Sequence, residues 1–122
     1  MLRAVIIDDE HKGQQVLKTM LQKYCTNVEI VALADSATTG KHAIETHNPD
    51  IVFLDIEMPF QTGFDLLQSF ERIDFKVVFV TAHSQYAVKA IKYNPLDYLL
   101  KPINIAELKL TIAKAERTQT IF

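Results

Sequence analysis

Acidic, hydroxyl and basic side chains follow short apolar runs of the chain, at the points where those runs end. Two acids come after the first run, one after the third, a threonine after the fourth and a lysine after the fifth. Carboxylates that lie close together repel one another unless a cation holds them. Mg²⁺ is such a cation, because it prefers oxygen ligands and keeps several waters. The residues concerned are Asp8, Asp9, Asp55, Thr81 and Lys101.

These residue types could together carry out phosphoryl transfer. A carboxylate can attack phosphorus and form an acyl phosphate. A lysine places positive charge beside a phosphoryl oxygen, and a threonine hydroxyl can donate a hydrogen bond to another. A single aspartate after a strand is commonly a helix cap or a turn residue. A functional site is favoured only because several such residues are expected to meet at one edge of a sheet.

Apolar runs alternate along the chain with segments of helical spacing. Continuous β-branched runs are typical of strands that are buried on both faces. Five strand–helix repeats predict a parallel sheet with helices on both sides, and ligands of such sheets bind beyond the carboxyl ends of the strands. The predicted strands are residues 4–7, 28–33, 51–54, 77–80 and 98–100, and the predicted helices lie within residues 16–24, 38–47, 64–71, 85–93 and 105–115.

Two of the helical segments carry clear signals of their own. The first has an apolar stripe of Val16, Leu17, Met20, Leu21 and Tyr24, which predicts the side that packs on the sheet. The last has a stripe of Ile105, Leu108, Ile112 and Ala115, and it is preceded by Asn104 with Glu107 three residues later, a variant of the capping box.

Composition limits the class of protein. The chain has 122 residues, 48% of them hydrophobic and 23% charged, which is typical of one globular domain. A net charge of −2 predicts that this domain binds neither nucleic acid nor an anionic membrane. The single cysteine, Cys25, excludes an internal disulfide, and the three isolated glycines exclude a glycine-rich phosphate loop. The sequence contains neither a signal-peptide pattern nor a long apolar stretch, so we expect a cytoplasmic protein.

The chain resembles the receiver domain of bacterial two-component response regulators over essentially its full length. The resemblance implies a flavodoxin-like, doubly wound sheet of five parallel strands in the order 2-1-3-4-5, with five helices. The order and spacing of the motifs agree with that family. They are Ile7-Asp8-Asp9-Glu10, Asp55 with Met58-Pro59 and Gly63, Thr81-Ala82, Tyr98 and Lys101-Pro102.

The resemblance also implies a role for each acidic residue. Asp55 would accept a phosphoryl group from a sensor histidine kinase. Mg²⁺ would be bound by Asp9, by Asp55 and by the main-chain carbonyl of Glu57, while Asp8 would act through a water. The chain would therefore be a switch that catalyses only its own phosphorylation and dephosphorylation.

Further implied roles belong to the last two strands. Lys101 would contact the phosphoryl group. Asp8 and Ala82 would belong to the residues that bind the phosphoryl group and the cofactor Mg²⁺. Thr81 would report the phosphoryl group to Tyr98. The altered surface, formed by residues 85–93, 98–100 and 105–115, would carry homodimerisation or contact with an output domain. A cis peptide bond is implied before Pro102.

A finer resemblance points to the LytR/AlgR branch of response regulators. It rests on residues 80–87, residues 94–102 and the sequence Asp55-Ile56-Glu57-Met58-Pro59. That branch usually carries a DNA-binding LytTR domain after the receiver. We therefore expect a receiver domain over residues 1–116, and in residues 117–122 a C-terminal tail or the start of a linker to an output domain that is absent here.

Two other functions use similar residues. A phosphohydrolase of the haloacid dehalogenase type also has a nucleophilic aspartate, magnesium, a hydroxyl residue and a lysine. Its nucleophile follows the first strand, however, and its fold needs a longer chain. A receiver that is never phosphorylated and serves as an interaction scaffold is the other alternative, and it is disfavoured because every expected site residue is present.

Overall fold

Five strands form one sheet in which every pair of neighbours is parallel. The computed structural model describes residues 1–119 and gives the strand order β2-β1-β3-β4-β5. The predicted flavodoxin-like topology is therefore confirmed. The strands are β1 (Leu2–Ile7), β2 (Val28–Ala34), β3 (Ile51–Leu54), β4 (Lys76–Thr81) and β5 (Asp97–Leu100).

Helices connect the strands as predicted, although several of their bounds differ, and the third ends at Gln68 and not at residue 71. The fourth is not a continuous helix over residues 85–93 but an α-helical turn between two 3-10 turns, Ser84–Tyr86 and Ile91–Tyr93. The fifth continues four residues beyond residue 115, and residues 120–122 lie outside the described part of the chain. The α-helices are α1 (His11–Tyr24), α2 (Ala37–His47), α3 (Gly63–Gln68), α4 (Ala87–Ala90) and α5 (Ile105–Gln119).

The two faces of the sheet have different cores. Successive side chains of a strand point to opposite faces, so each central strand contributes to both. Helices α1 and α5 cover one face with a mostly aliphatic core, to which Leu17, Leu21, Leu108 and Ile112 belong together with the ring of Phe53. Helices α2, α3 and α4 cover the other face, whose core includes rings. The aromatic residues there are Phe64, Phe70, Phe75, Phe79, Tyr86, Tyr93 and Tyr98.

Helix α1 packs on the sheet through a slightly different side from the one predicted. Its buried residues are Gln14, Leu17 and Leu21, whereas Val16 is 47% exposed and Tyr24 is also exposed. The predicted stripe is therefore wrong at Val16 and Tyr24, which lie at the edge of the buried side of α1. Of the described helices, none is both long enough and apolar enough to span a membrane.

Charged side chains at the amino edge, where the strands begin, are held by hydrogen bonds. The main-chain N–H of Arg3 donates to Asp50 Oδ2 at 2.8 Å, and the Arg3 guanidinium donates to the carbonyls of His47 and Asn48. These last two carbonyls are at the end of α2, where helix carbonyls need donors. The arginine therefore ties the start of β1 to the end of α2.

The start of β5 is held in a similar way. Asp97 Oδ2 accepts a hydrogen bond from the buried Thr111 hydroxyl at 2.6 Å and lies 3.1 Å from Lys114 Nζ. Its other oxygen accepts the main-chain N–H of Tyr98 at 2.8 Å. Burial works to raise the pKa of Asp97, but these donors outweigh it and lower the pKa.

Helix α1 ends at the single cysteine of the chain. The Cys25 N–H donates to the carbonyl of Leu21, and the thiol is buried against the aliphatic core under α1 and α5. Burial raises the pKa of this thiol. Cys25 is thus a small core residue.

Candidate functional site

Three carboxylates meet at the carboxyl edge of the sheet, where the strands end. Strands β1 and β3 are neighbours, and Ile7 pairs with Leu54, so the residues that follow them come out side by side. Ligand oxygens of Asp8, Asp9 and Asp55 all lie within 4.8 Å of one another. The predicted convergence of these acids is present in the structure.

Lys101, which follows β5, reaches across to two of the acids. Its Nζ lies 2.8 Å from Asp8 Oδ2 and 2.9 Å from Asp55 Oδ2. Its main-chain N–H donates to the Thr81 carbonyl, and the peptide bond to Pro102 is cis, as the resemblance implies. One ammonium group thus joins the acids that follow the two central strands.

Burial governs the electrostatics of this cluster. Asp8 and Asp55 are only 5% and 7% exposed. Burial, with a smaller contribution from the charge of Asp8, raises the pKa of Asp55, even though the contacts with Lys101 work to lower it. Burial and then the charge of Asp8 raise the pKa of Asp9. Burial works to lower the pKa of Lys101, but its bonds to Asp8 and Asp55 outweigh this and raise it. The carboxylates therefore need more positive charge than one lysine supplies.

The donor set and its surroundings fit a hard cation. Carboxylate oxygens are the ligands that Mg²⁺ prefers. A Cβ at Gly13, on α1, would lie 2.2 Å from Asp8 Oδ2, so the absence of a side chain there leaves the room that this carboxylate occupies. A Cβ at Gly63 would lie 2.5 Å from the Asp55 carbonyl oxygen, which is why the loop after β3 can return so closely.

The remaining predicted residues lie on the neighbouring strand ends. Thr81 is fully buried, and Ala82 after it is exposed. The Thr81 hydroxyl accepts the N–H of His83 at 3.3 Å, and the Tyr98 hydroxyl donates to the His83 carbonyl at 2.5 Å. Among the described hydrogen bonds, therefore, Thr81 and Tyr98 are joined through His83 and not through the carboxylates.

Two supporting features were not found from the sequence. Gln14 Nε2 donates to the carbonyls of Asp8 and Ala34, at 2.8 and 3.0 Å, and so ties the ends of β1 and β2 together. Its place three residues before Leu17 on α1 could have indicated a buried amide. The other feature is a direct contact of 2.9 Å between Glu57 Oε2 and His83 Nε2.

Comparisons with known proteins show the family to which the chain belongs. The family model of the response regulator receiver domain matches residues 4–113. An uncharacterized response regulatory protein of Vibrio parahaemolyticus is 41% identical over 118 residues, which are 96% of this chain and 48% of that protein. The transcriptional regulatory protein BtsR of Escherichia coli is 35% identical over 121 residues, 98% of this chain and 50% of BtsR. The chain spans about half the length of these curated relatives.

A solved structure gives the same result for the fold. The response regulator protein TrrA of Thermotoga maritima, crystallised in complex with Mg²⁺ and BeF, is 30% identical, with a TM-score of 0.82. The alignment covers 94% of this chain and 99% of that one. Receiver domains typically bind Mg²⁺ at an acidic pocket, and this chain has such a cluster. The chain belongs to the family of response regulator receiver domains, the phosphorylation-activated switches of two-component systems.

Proposed function

We propose that Asp55 is the phosphoacceptor of this switch and that a histidine of a sensor kinase is its donor. The observation that carries the proposal is the contact of Lys101 with both Asp8 and Asp55 inside a cluster of three carboxylates. Lys101 lies where it can neutralise charge on a group attached to Asp55. Family membership favours a switch over a phosphohydrolase that turns over external substrate.

The chemical step needs few parts. A carboxylate oxygen of Asp55 attacks phosphorus, and the bond from phosphorus to the imidazole nitrogen breaks, its electron pair remaining with the ring. Oδ1 of Asp55 accepts the Ile56 N–H at 2.7 Å, and Oδ2 accepts from Lys101, so both oxygens have fixed orientations. Lys101 then offers its donors to the phosphoryl oxygens.

Mg²⁺ is the cofactor that we propose for this step. Asp9, Asp55 and the main-chain carbonyl of Glu57 would hold it, with Asp8 acting through a water. When bound, the ion supplies charge that neutralises phosphoryl oxygens. The raised pKa values of Asp9 and Asp55 support this assignment, because a cation would favour their charged forms.

Mass spectrometry tests the acceptor directly. Acetyl phosphate with Mg²⁺ should add one phosphate to the intact protein, and Asp55→Asn should remove that adduct. Asp74→Asn is the matched control, since Asp74 is exposed and precedes β4 at the amino edge. An adduct of full yield in Asp55→Asn would overturn the assignment, and no adduct in the wild type would favour the scaffold.

For the response to phosphorylation we propose Thr81 and Tyr98. A phosphoryl group on Asp55 offers strong acceptors, and the Thr81 hydroxyl is a donor at the end of the adjacent strand β4. Drawing Thr81 inward changes the space beside Tyr98, whose ring lies 6.0 Å from that of Phe79. If the Tyr98 ring has two packing positions, a charge on Asp55 can change how often each position is occupied.

We propose that residues 85–93, β5 and α5 carry the output of the switch, either by homodimerisation or by contact with an output domain, and that this output domain is a DNA-binding domain of the LytTR type. Exposed apolar side chains on these elements support a contact surface; they are Val88, Ile91, Leu100, Ile105 and Leu110. The relative BtsR, which is 35% identical, is a transcriptional regulatory protein, and this supports a transcriptional output. For this role in two-component signalling we propose a cytoplasmic location.

Sedimentation tests the dimer. Beryllofluoride with Mg²⁺, a mimic of the aspartyl phosphate, should increase self-association of the wild type, and Thr81→Ala should respond less. Identical responses of both proteins would contradict this route from Asp55 to the surface.

A further inference from the structure

Four contacts link the loop after β3 to β5 across the carboxyl edge. His83 Nε2 lies 2.9 Å from Glu57 Oε2, and the Tyr86 hydroxyl donates to the same oxygen at 3.2 Å. The rings of His83 and Tyr86 meet edge to face, with centroids 6.1 Å apart. The carbonyl of His83 accepts the Tyr98 hydroxyl. Glu57, His83 and Tyr86 are called the clasp below.

His83 lies at the centre of this arrangement because its side chain and its main chain contact different residues. The imidazole faces Glu57, two residues after Asp55, while the carbonyl faces Tyr98. The N–H of the same residue donates to Thr81. The loop between β4 and α4 is thus held at one residue by three other segments of the chain.

The Tyr86 ring anchors the clasp in the core. It packs edge to face on Phe64 of α3, at a centroid distance of 6.1 Å. Phe64 in turn packs on Phe79 of β4. Movement of the loop therefore has to disturb rings of the α2–α4 face, which restricts the loop to a small number of positions.

We propose that the clasp positions the His83 carbonyl for Tyr98 and so gives the loop after β3 a route to Tyr98 that does not pass through Thr81. This inference rests on the proposed function of Asp55 and Tyr98. Glu57 and His83 are positioning residues, since their side chains act on Tyr98 through the main chain of the loop. The contact needs only a proton on Nε2, so it does not depend on the charge of the ring.

The size of the effect follows from exposure. The side chains of His83 and Glu57 are 40% and 46% exposed, so their contact is of the weak surface kind. We expect each alanine variant of the pair to weaken beryllofluoride binding about two- to fivefold by shifting the population of loop positions.

Fluorine NMR of protein labelled with 3-fluorotyrosine provides the primary readout. The chain has four tyrosines, and Tyr98→Phe identifies the signal of Tyr98. In the free protein, His83→Ala and Glu57→Ala should move or broaden this signal, and the double variant should move it by less than the sum of the two single effects, because both single variants break the contact between His83 and Glu57. Gln85→Ala is the control, because Gln85 is exposed and lies in the 3-10 turn Ser84–Tyr86, next to the clasp.

Two further variants separate positioning from general loosening of the loop. His83→Gln keeps an amide that donates to Glu57 and should return the Tyr98 signal toward that of the wild type. Tyr86→Phe keeps the ring but loses the hydroxyl, so a smaller shift in the same direction is expected. The shift caused by His83→Ala should persist in a Thr81→Ala background.

The proposal is overturned if the Tyr98 signal is unchanged in both alanine variants, if their effects add fully in the double variant, or if His83→Gln recovers nothing. It is also overturned if the shift disappears in the Thr81→Ala background, because the route would then pass through Thr81. Failure of the wild type to bind beryllofluoride with Mg²⁺ would instead overturn the proposed function of Asp55, which is a distinguishable result.

Discussion

The two edges of the sheet treat carboxylates that are partly or fully buried in opposite ways. At the amino edge, Asp97 receives donors from Thr111, Lys114 and the chain itself, and its pKa is lowered. At the carboxyl edge, burial and then the charges of neighbouring acids raise the pKa values of Asp9 and Asp55. The negative charge of Asp97, which stabilises the fold, is neutralised by donors of the protein itself. The negative charges of Asp9 and Asp55 are only partly neutralised by the protein, which leaves them able to bind a cationic ligand.

The largest expected effect comes from removing the cation of the carboxyl edge. Lys101→Met leaves Asp8 and Asp55 as close, buried carboxylates, and should lower the free energy of unfolding by about 2–3 kcal/mol at neutral pH without metal. Urea denaturation followed by circular dichroism measures this. Mg²⁺ should restore part of the loss, and Lys109→Met, at an exposed lysine of α5, should have little effect. If Lys101→Met were as stable as the wild type, the carboxylates of the carboxyl edge would not depend on a cation, and the comparison of the two edges would be wrong.

At the amino edge, Asp97→Ala should destabilise the protein by roughly 1–2 kcal/mol, because the Thr111 hydroxyl and the Tyr98 N–H lose an acceptor. The folded pKa of Asp97 is depressed, so its charge contributes stability above the ordinary aspartate pKa of about 3.9 and loses that contribution as the pH falls through the folded value. The difference from wild type should therefore shrink in acid. Asp97→Asn, which keeps an acceptor oxygen, should lose less at neutral pH.

The opposite sign is expected for Asp9→Asn. The folded pKa of Asp9 is raised, so its charged form costs stability at neutral pH, and that cost disappears as the pH falls through the folded value toward about 3.9. The variant should melt at a higher temperature than wild type at neutral pH without metal, and the two melting temperatures should approach each other in acid. It should also bind Mg²⁺ more weakly. A lower melting temperature at neutral pH would contradict the comparison.

The smallest effect concerns backbone strain at the carboxyl edge. Phe60 has a φ of 71° and is fully exposed, while the other non-glycine residues of positive φ in residues 1–119 are Asn48 and Asn94. Asparagine tolerates this conformation better than phenylalanine. Phe60→Asn should raise the free energy of unfolding by about 0.5–1 kcal/mol, and Asn94→Phe should lower it. Equal stability of Phe60→Asn and wild type would show that the turn stores no strain.

The positions of the strands and the convergence of acids could be predicted because they follow from local signals, whereas the strand order was implied by the resemblance to the receiver family. The apolar runs locate the strands, and parallel topology brings the residue after each strand to one edge. The cap at Asn104 was also predictable, and its side chain accepts the Glu107 N–H at 3.0 Å. These features depend on short stretches of sequence.

Features that depend on side chains from distant segments could not be predicted. The contact between Glu57 and His83 joins two loops whose positions are set by the core beneath them. The division of residues 85–93 into short helical turns reflects tertiary packing of Tyr86 and Tyr93 on Phe64, which overrides helical spacing. The role of Gly13 beside Asp8 likewise appears only when α1 is placed against β1.

The burial of Cys25 has a practical consequence for thiol chemistry. Thiolate is the reactive form of cysteine, and this thiol is both shielded and shifted to a higher pKa. Maleimide or nitroxide reagents should therefore react slowly with the native protein. A second cysteine introduced at exposed Val88 or Leu110 would be labelled selectively without removing the native one, which allows distances on the α4–α5 surface to be followed as the switch is driven.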